Sequence, residues 1–321
     1  MRAAISSEKK RVMLEENITT LIPRMAVPTI VAQLITTVYN LVDAYFVSTL
    51  GTNATAAVGV NSSLERTITI IGSLIGAGAC SYISRLLGSE KKGDANRVLS
   101  TSIFTGLGMG VIFMIFCRFV MRDLVYVLGA TDDCAEYSMQ YATYVLYAAP
   151  FMIGSFILNM CLRSEGSAMF AMIGIGFGGV LNCFLDPLFI YTFNLGVAGA
   201  SMATAISKFV SFCILLWPYF RKTTSVEIAI RHFRMFYAGI GQALKAMIIN
   251  LARQGYCFFP ALWIVPALFG IKGVAATQAV ADMISIVVVL PLGMSALKLI
   301  NSKFDEAEER AEERSNVGKE G

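Results

Sequence analysis

The chain has 321 residues, 56% of them hydrophobic and only 15% charged, with a formal net charge of +4 at pH 7. Soluble domains carry roughly 25% charged residues, and a mean hydropathy of +0.64 lies far to the apolar side. That balance argues against a soluble enzyme or a nucleic-acid-binding domain, and the expected class is an all-α polytopic membrane protein.

Residues 1–24 are polar and include Ser7-Glu-Lys-Lys-Arg11. They carry no short apolar core ahead of a cleavage site, so no cleavable signal peptide is expected and the first long helix serves as the insertion signal. A spanning helix needs ~20 mostly apolar residues. About eight such runs follow, over 25–50, 54–83, 98–120, 137–162, 169–193, 197–220, 246–269 and 274–300. The runs lack period-two alternation, so they read as helices and not as barrel strands. The first six make one lobe, residues 25–220. A cytoplasmic connector follows over 221–245, then a helix pair over 246–300 and a charged tail over 301–321. The tail sequence Asp305-Glu-Ala-Glu-Glu-Arg-Ala-Glu-Glu-Arg314 is a solvated charged stretch with no assigned role.

Basic residues set the orientation. With the N-terminus inside, most of the 26 Lys and Arg fall on inner segments, such as Arg85, Lys91, Lys92 and Arg97, then Arg221, Lys222, Arg231 and Arg234 in the connector. The outer segments hold Arg118, Arg122 and Lys272, beside the acidic pair Asp132 and Asp133. Both termini are therefore expected in the cytoplasm of a multi-pass cell-membrane protein.

Two aspartates interrupt the oily runs: Asp43 in the first and Asp186 in the fifth. A carboxylate in hydrocarbon costs ~2.5–3.5 kcal/mol even on a mild insertion scale, so it usually faces a cavity or a partner. On the first span Gln33, Thr36, Thr37, Asn40 and Asp43 recur at helical spacing and form one polar stripe. On the fifth, Asn182 and Asp186 are one turn apart and share a face, and Thr204 lies in the first half of the sixth. Carboxylate, amide and hydroxyl oxygens suit a hard cation such as sodium. The same carboxylates, withdrawn from water, could carry a proton instead. Pro187 is expected to kink the fifth span beside them.

Lys208 lies one turn beyond Thr204 on the same face. An ammonium there either snorkels or pairs with a carboxylate. Pairing with Asp43 or Asp186 would put an internal cation where an external one could bind. Glu65 and Arg66 are adjacent in the second span and point apart. Glu65 could draw in a cation, and a local structural pair is equally open. The chain offers no nucleophile–base pair, and its one histidine, His232, sits in a basic loop, so neither an enzyme nor a metal cluster is expected. Cys80, Cys117, Cys161, Cys183, Cys213 and Cys257 lie in or beside oily runs without CxxC spacing and read as small core residues. The glycines of 106–110 and 173–179 read as close-packing sites; they lack the Lys-Ser/Thr that a phosphate loop requires.

Gly196-Val-Ala-Gly199-Ala-Ser-Met-Ala-Thr204 opens the sixth span, and Gly270-Ile-Lys-Gly273-Val-Ala-Ala-Thr-Gln278 opens the eighth, each after a short outer turn. Internal repeats of this kind are common in secondary transporters. Under the repeat Lys208 aligns with Asp282, which makes Asp282 a second candidate partner for it.

Together with Tyr39-Asn-Leu-Val-Asp43-Ala-Tyr-Phe-Val47, Ser84-Arg-Leu-Leu-Gly88, Leu162-Arg-Ser-Glu-Gly166 and Asn182-Cys-Phe-Leu-Asp186-Pro-Leu-Phe189, these stretches resemble the MATE (multidrug and toxic compound extrusion) transporters, in family order, over roughly residues 15–222. The resemblance implies a six-helix N-terminal lobe. It implies an ion or proton site at Asp43, Asn182, Asp186 and Thr204. It also implies a sodium- or proton-coupled antiporter that exports amphipathic cations through the bilayer, with no organic cofactor and no nucleic-acid partner. Gln33, Tyr39, Asn40 and Glu65 are candidates for the substrate cavity.

Against the family pattern, the last helix pair matches only the end of a second lobe, and about four helices are absent near residues 234–239. Two other readings therefore stay open. One is an internally deleted, non-transporting lobe acting as a binding or assembly unit, or inactive. The other is a flippase for lipid-linked precursors, disfavoured because the first six spans hold only Arg66 and Lys208 as basic groups away from their ends. A chain acting alone would be expected to form a homodimer.

Overall fold

The computed structural model describes residues 18–221 and 223–228, all within the first of the two compact units into which the chain divides, Met1–Met247. The expected helices over 246–300, most of the connector, the tail and Asp282 lie outside the described residues. The described part is helical: α1 (Ile18–Ser48), α2 (Thr52–Gly88), α3 (Lys92–Phe119), α4 (Met121–Val127), α5 (Asp132–Ser164), α6 (Ala168–Pro187) and α7 (Gly196–Phe220), with one π turn, Leu188–Thr192, after α6. All but α4 are long and apolar enough to cross a membrane, and the protein is an all-α polytopic membrane protein.

The helices start earlier than their apolar runs. α3 begins at Lys92 and α5 at Asp132, because acidic first turns (Asp94; Asp132 and Asp133) favour the positive end of the helix dipole although they lie outside the oily window. The Thr131 hydroxyl and the Cys134 thiol close a capping box at the head of α5. The short α4 was not expected; it is too brief to show a hydrophobic period.

α5 is the central post. It packs against α2, α3 and α7, and 78% of its apolar window is buried, against 11% for α1 at the periphery. Polar side chains tie the helices together, as is common where lipid supplies little hydrophobic contrast. Asn61 Nδ2 on α2 donates to the Ser138 carbonyl (3.0 Å) and hydroxyl (2.9 Å) on α5, and Asn159 Nδ2 on α5 donates to the Ala171 carbonyl on α6 (3.1 Å). At one end of the lobe, buried Glu165 accepts from the Tyr219 hydroxyl (3.1 Å) and from the backbone N–H of Ser225 (2.8 Å). The Glu227 N–H donates to Asn96 Oδ1 (2.8 Å). The start of the connector is thus fastened to the end of the bundle.

Glycines set how near the helices come. A Cβ on Gly110 would lie 2.5 Å from the Pro150 Cα, so α3 and α5 touch backbone to backbone there. On α6 the glycines serve two neighbours. Gly176 and Gly179 receive Ile35 and Tyr39 of α1, whereas Gly174 and Gly178 receive Leu215 and Ser211 of α7. The expected kink is a change of helix type: α6 ends at Pro187 and the chain continues as the π turn. The tight turn into α7 needs Gly196, at φ +54°, and Gly199 must lack a Cβ because the Phe189 carbonyl would stand 2.8 Å from it.

Replacing Gly110 by Ala should destabilise the lobe by about 1–3 kcal/mol through overpacking against backbone that cannot yield. Gly108→Ala, whose Cβ meets open space, should be neutral or slightly stabilising. Thermal melts of the two variants in one detergent check the contrast.

Candidate functional site

The seam between α1 and α6 builds the site. Ile35, Tyr39 and Asp43 are one turn apart on α1, and Gly176, Gly179 and Asp186 follow the same direction on α6. Because the first two contacts are glycine to side chain, the backbones come close, and one step further along the seam the Asp43 and Asp186 carboxyls are near enough to act on each other. α7 closes the other side of α6. Its Ser211 hydroxyl donates to the Gly174 carbonyl (2.8 Å), which sets the register that brings Thr204 to Asn182.

Asn182 is the hub. Its Nδ2 donates to Asp186 Oδ1 (3.0 Å) and to Thr204 Oγ1 (3.4 Å). Asp186 is 0% and Asn182 2% exposed. With its one amide nitrogen committed, the remaining atoms are acceptors. Asp43 Oδ1, Asp186 Oδ2 and Asn182 Oδ1 are each buried without a hydrogen-bond partner. Such oxygens, left unanswered, are costly. A cation or a proton satisfies them, and the oxygen-only set fits a hard monovalent ion.

The four residues expected to form one site are therefore together. Lys208 is nearby and half-buried, but it bonds neither aspartate. Its Nζ donates to the Tyr39 hydroxyl at 2.6 Å and lies 4.9 Å from the centre of that ring. Its charge still acts on Asp43 and on Glu65. Tyr39 can take this bond because it sits one turn from Asp43 on the same face of α1.

Glu65, half-buried, accepts a hydrogen bond from the Tyr141 hydroxyl of α5 (3.1 Å) and brings a third carboxyl close to Asp43. Gln33, Thr37 and Asn40 are exposed on α1. The Thr36 and Thr37 hydroxyls donate back to the carbonyls of Ala32 (2.9 Å) and Gln33 (3.0 Å), so they belong to their own helix and not to the site. Tyr141 escaped the sequence reading, since a tyrosine inside an oily run carries no sign of what its hydroxyl meets. The glycine ladder of α6 was read only as close packing; its spacing from Gly179 to Asp186, two turns on one face, is the signal that it delivers Asp43.

The MatE family profile matches residues 28–188. The chain is 30% identical over 249 residues to the multidrug export protein MepA of Staphylococcus saprophyticus, covering 77% of this chain and 52% of that protein. It is 31% identical over 202 residues to MepA of Staphylococcus aureus strain MSSA476, covering 63% of this chain and 45% of that one. It thus spans about half the length of these curated relatives. Among solved structures, an outward-facing multidrug resistance MATE family transporter of the MOP superfamily aligns with a TM-score of 0.72 and 30% identity, covering 84% of this chain and 61% of that one. A MOP superfamily transporter from Pyrococcus furiosus aligns with a TM-score of 0.71 and 28% identity, covering 83% and 62%.

Asn182→Ala removes the one amide donor that joins Asp186 to Thr204. It should cost about 1–3 kcal/mol, the desolvation cost of the acceptors it leaves behind, seen as a lowered melting temperature of the detergent-solubilised chain.

Proposed function

The chain belongs to the MatE family, and from that premise we propose that it acts as an exporter of amphipathic organic cations, driven by sodium or protons exchanged at Asp43, Asn182, Asp186 and Thr204. The observation that carries this reading is the set of buried acceptor oxygens without partners on Asp43, Asp186 and Asn182. The names of the relatives, multidrug export proteins, agree with it.

The chemistry follows from charge. The carboxyl pair can be neutralised by a coupling ion or by a positively charged cargo nearby, and each makes the other less favourable. That mutual exclusion is an unfavourable (positive) coupling free energy, reciprocal between the two ligands. It is the condition for exchanging one positive species for another. The polar side chains Gln33, Tyr39, Asn40 and Glu65, on α1 and α2, are proposed to meet the cargo. Glu65 supplies charge, and Tyr39 supplies a ring face for a cation.

A second reading is favoured by one observation: the chain spans about half of its curated relatives. On that reading the lobe binds the ion without moving cargo unless a second copy completes the cleft. Sizing in detergent separates the two, because a dimer is expected if this chain transports by itself and a strict monomer favours a non-transporting unit.

The functional test is dye efflux from vesicles containing the chain under imposed sodium and proton gradients, measured separately. Efflux should follow one of the gradients and fall to the rate of empty vesicles in both Asp43→Asn and Asp186→Asn. Equal efflux in the parent and in both variants would refute the assignment of the site.

A further inference from the structure

Among the described residues, Lys208 is the side chain at the site whose charge opposes a cation, and its position is set by Tyr39. The Lys208 Nζ donates to the Tyr39 hydroxyl at 2.6 Å and lies 4.9 Å from the centre of that ring, beyond the hydroxyl and outside the ring edge. Tyr39 lies one turn from Asp43 on α1, and Lys208 lies one turn from Thr204 on α7. α1 and α7 run in opposite directions along α6: the α1 contacts rise with it, Ile35 at Gly176 and Tyr39 at Gly179, whereas the α7 contacts fall, Leu215 at Gly174 and Ser211 at Gly178. Both displacements therefore lead the same way, toward the N-terminal end of α1. Tyr39 and Lys208 thus stand about one helical turn, ~5.4 Å along their axes, from Asp43 and Thr204, and the ammonium is bonded to Tyr39 and not to an aspartate. The charged and titratable groups facing it are Tyr39 and Asp43 from α1 and Glu65 from α2, with Tyr141 of α5 bonded to Glu65.

We propose that Lys208 is a tethered cation that holds free sodium off the Asp43–Asn182–Asp186–Thr204 oxygens, with Tyr39 bonding it in place of an aspartate so that the carboxyls are opposed but not capped. The inference rests on the reading of those oxygens as a cation site. A unit charge within ~10 Å of a monovalent site, at an effective protein dielectric of ~20, alters its occupancy by about tenfold or more, and the Lys208 charge acts on Asp43. Tyr39 matters because its hydroxyl holds the amine by a hydrogen bond. Without the hydroxyl, the four-carbon stem is free to swing onto Asp43.

The test is the melting temperature of the full chain in detergent, titrated with sodium chloride and, at matched ionic strength, with choline chloride, since a ligand that binds the folded state raises it by mass action. Lys208→Gln should show sodium-specific stabilisation with a midpoint at least about tenfold lower in sodium than the parent. Lys208→Arg, which keeps the charge, should behave as the parent. Tyr39→Phe should respond to sodium no better than the parent, and Lys208→Gln combined with Asp186→Asn should lose the response. Should Lys208→Gln not fold, Lys208→Met keeps an apolar stem without the charge and carries the same expectation. A merely structural lysine would alter melting equally in both salts.

If Lys208→Gln keeps the parent's sodium midpoint while Asp186→Asn alone abolishes that response, the cation site stands and the role of Lys208 falls. If neither the parent nor Lys208→Gln distinguishes sodium from choline, the Lys208 inference falls as well. The efflux variants Asp43→Asn and Asp186→Asn then decide separately whether the site carries protons.

Discussion

Two carboxyl groups brought near each other inside a hydrocarbon-embedded bundle are the constraint around which this lobe is organised. Neither can stay charged and unanswered in such surroundings. The protein's own donors answer only part of the demand: one amide serves Asp186 and Thr204 together, and three buried oxygens, on Asp43, Asn182 and Asp186, remain without a partner. A site that is chemically incomplete by itself is the physical requirement for reversible ion binding. A fully satisfied network would be a stable crossing point between helices and nothing more.

The packing of α6 explains how the carboxyls come to meet. Its glycines let α1 approach on one side and α7 on the other. Immediately beyond, Pro187 ends the α-helical ladder and the chain passes into a π turn. Pro has no N–H to donate, so the backbone changes pitch at the residue next to the site. Changes of this type are frequent at functional positions. Close packing and local irregularity are thus adjacent along one helix, the first fixing the geometry and the second loosening the segment that follows.

Lys208, Tyr39, Glu65 and Tyr141 surround the pair with a second ring of interactions. The ammonium is directed to a phenol and the phenol's neighbour on α1 is a carboxyl; the third carboxyl is held by a phenol of α5. Each phenol therefore sets how far a charge stands from Asp43 without cancelling it. That arrangement tunes the field at the oxygens while leaving them available. The buried Glu165 has the opposite character: with donors from Tyr219 and the Ser225 backbone, it is answered by the protein itself and serves to hold the connector.

Hydropathy and the cost of a charge in hydrocarbon are properties of short stretches of sequence. For that reason the sequence by itself determined the six described spans, the family, and the candidates Asp43, Asn182, Asp186 and Thr204. Helix–helix register is of another kind. Helices that are oily all round present no preferred face, so rotation and axial offset are set only when neighbours pack. The tertiary structure alone decided that Lys208 would turn to Tyr39 and not to an aspartate, that Tyr141 would hold Glu65, that Thr36 and Thr37 would fold back on their own helix, and that a short α4 would cover the connection before α5. In each case the partner lies on a helix far away in the chain, or the choice lies between two nearby acceptors, and only the distances settle such choices.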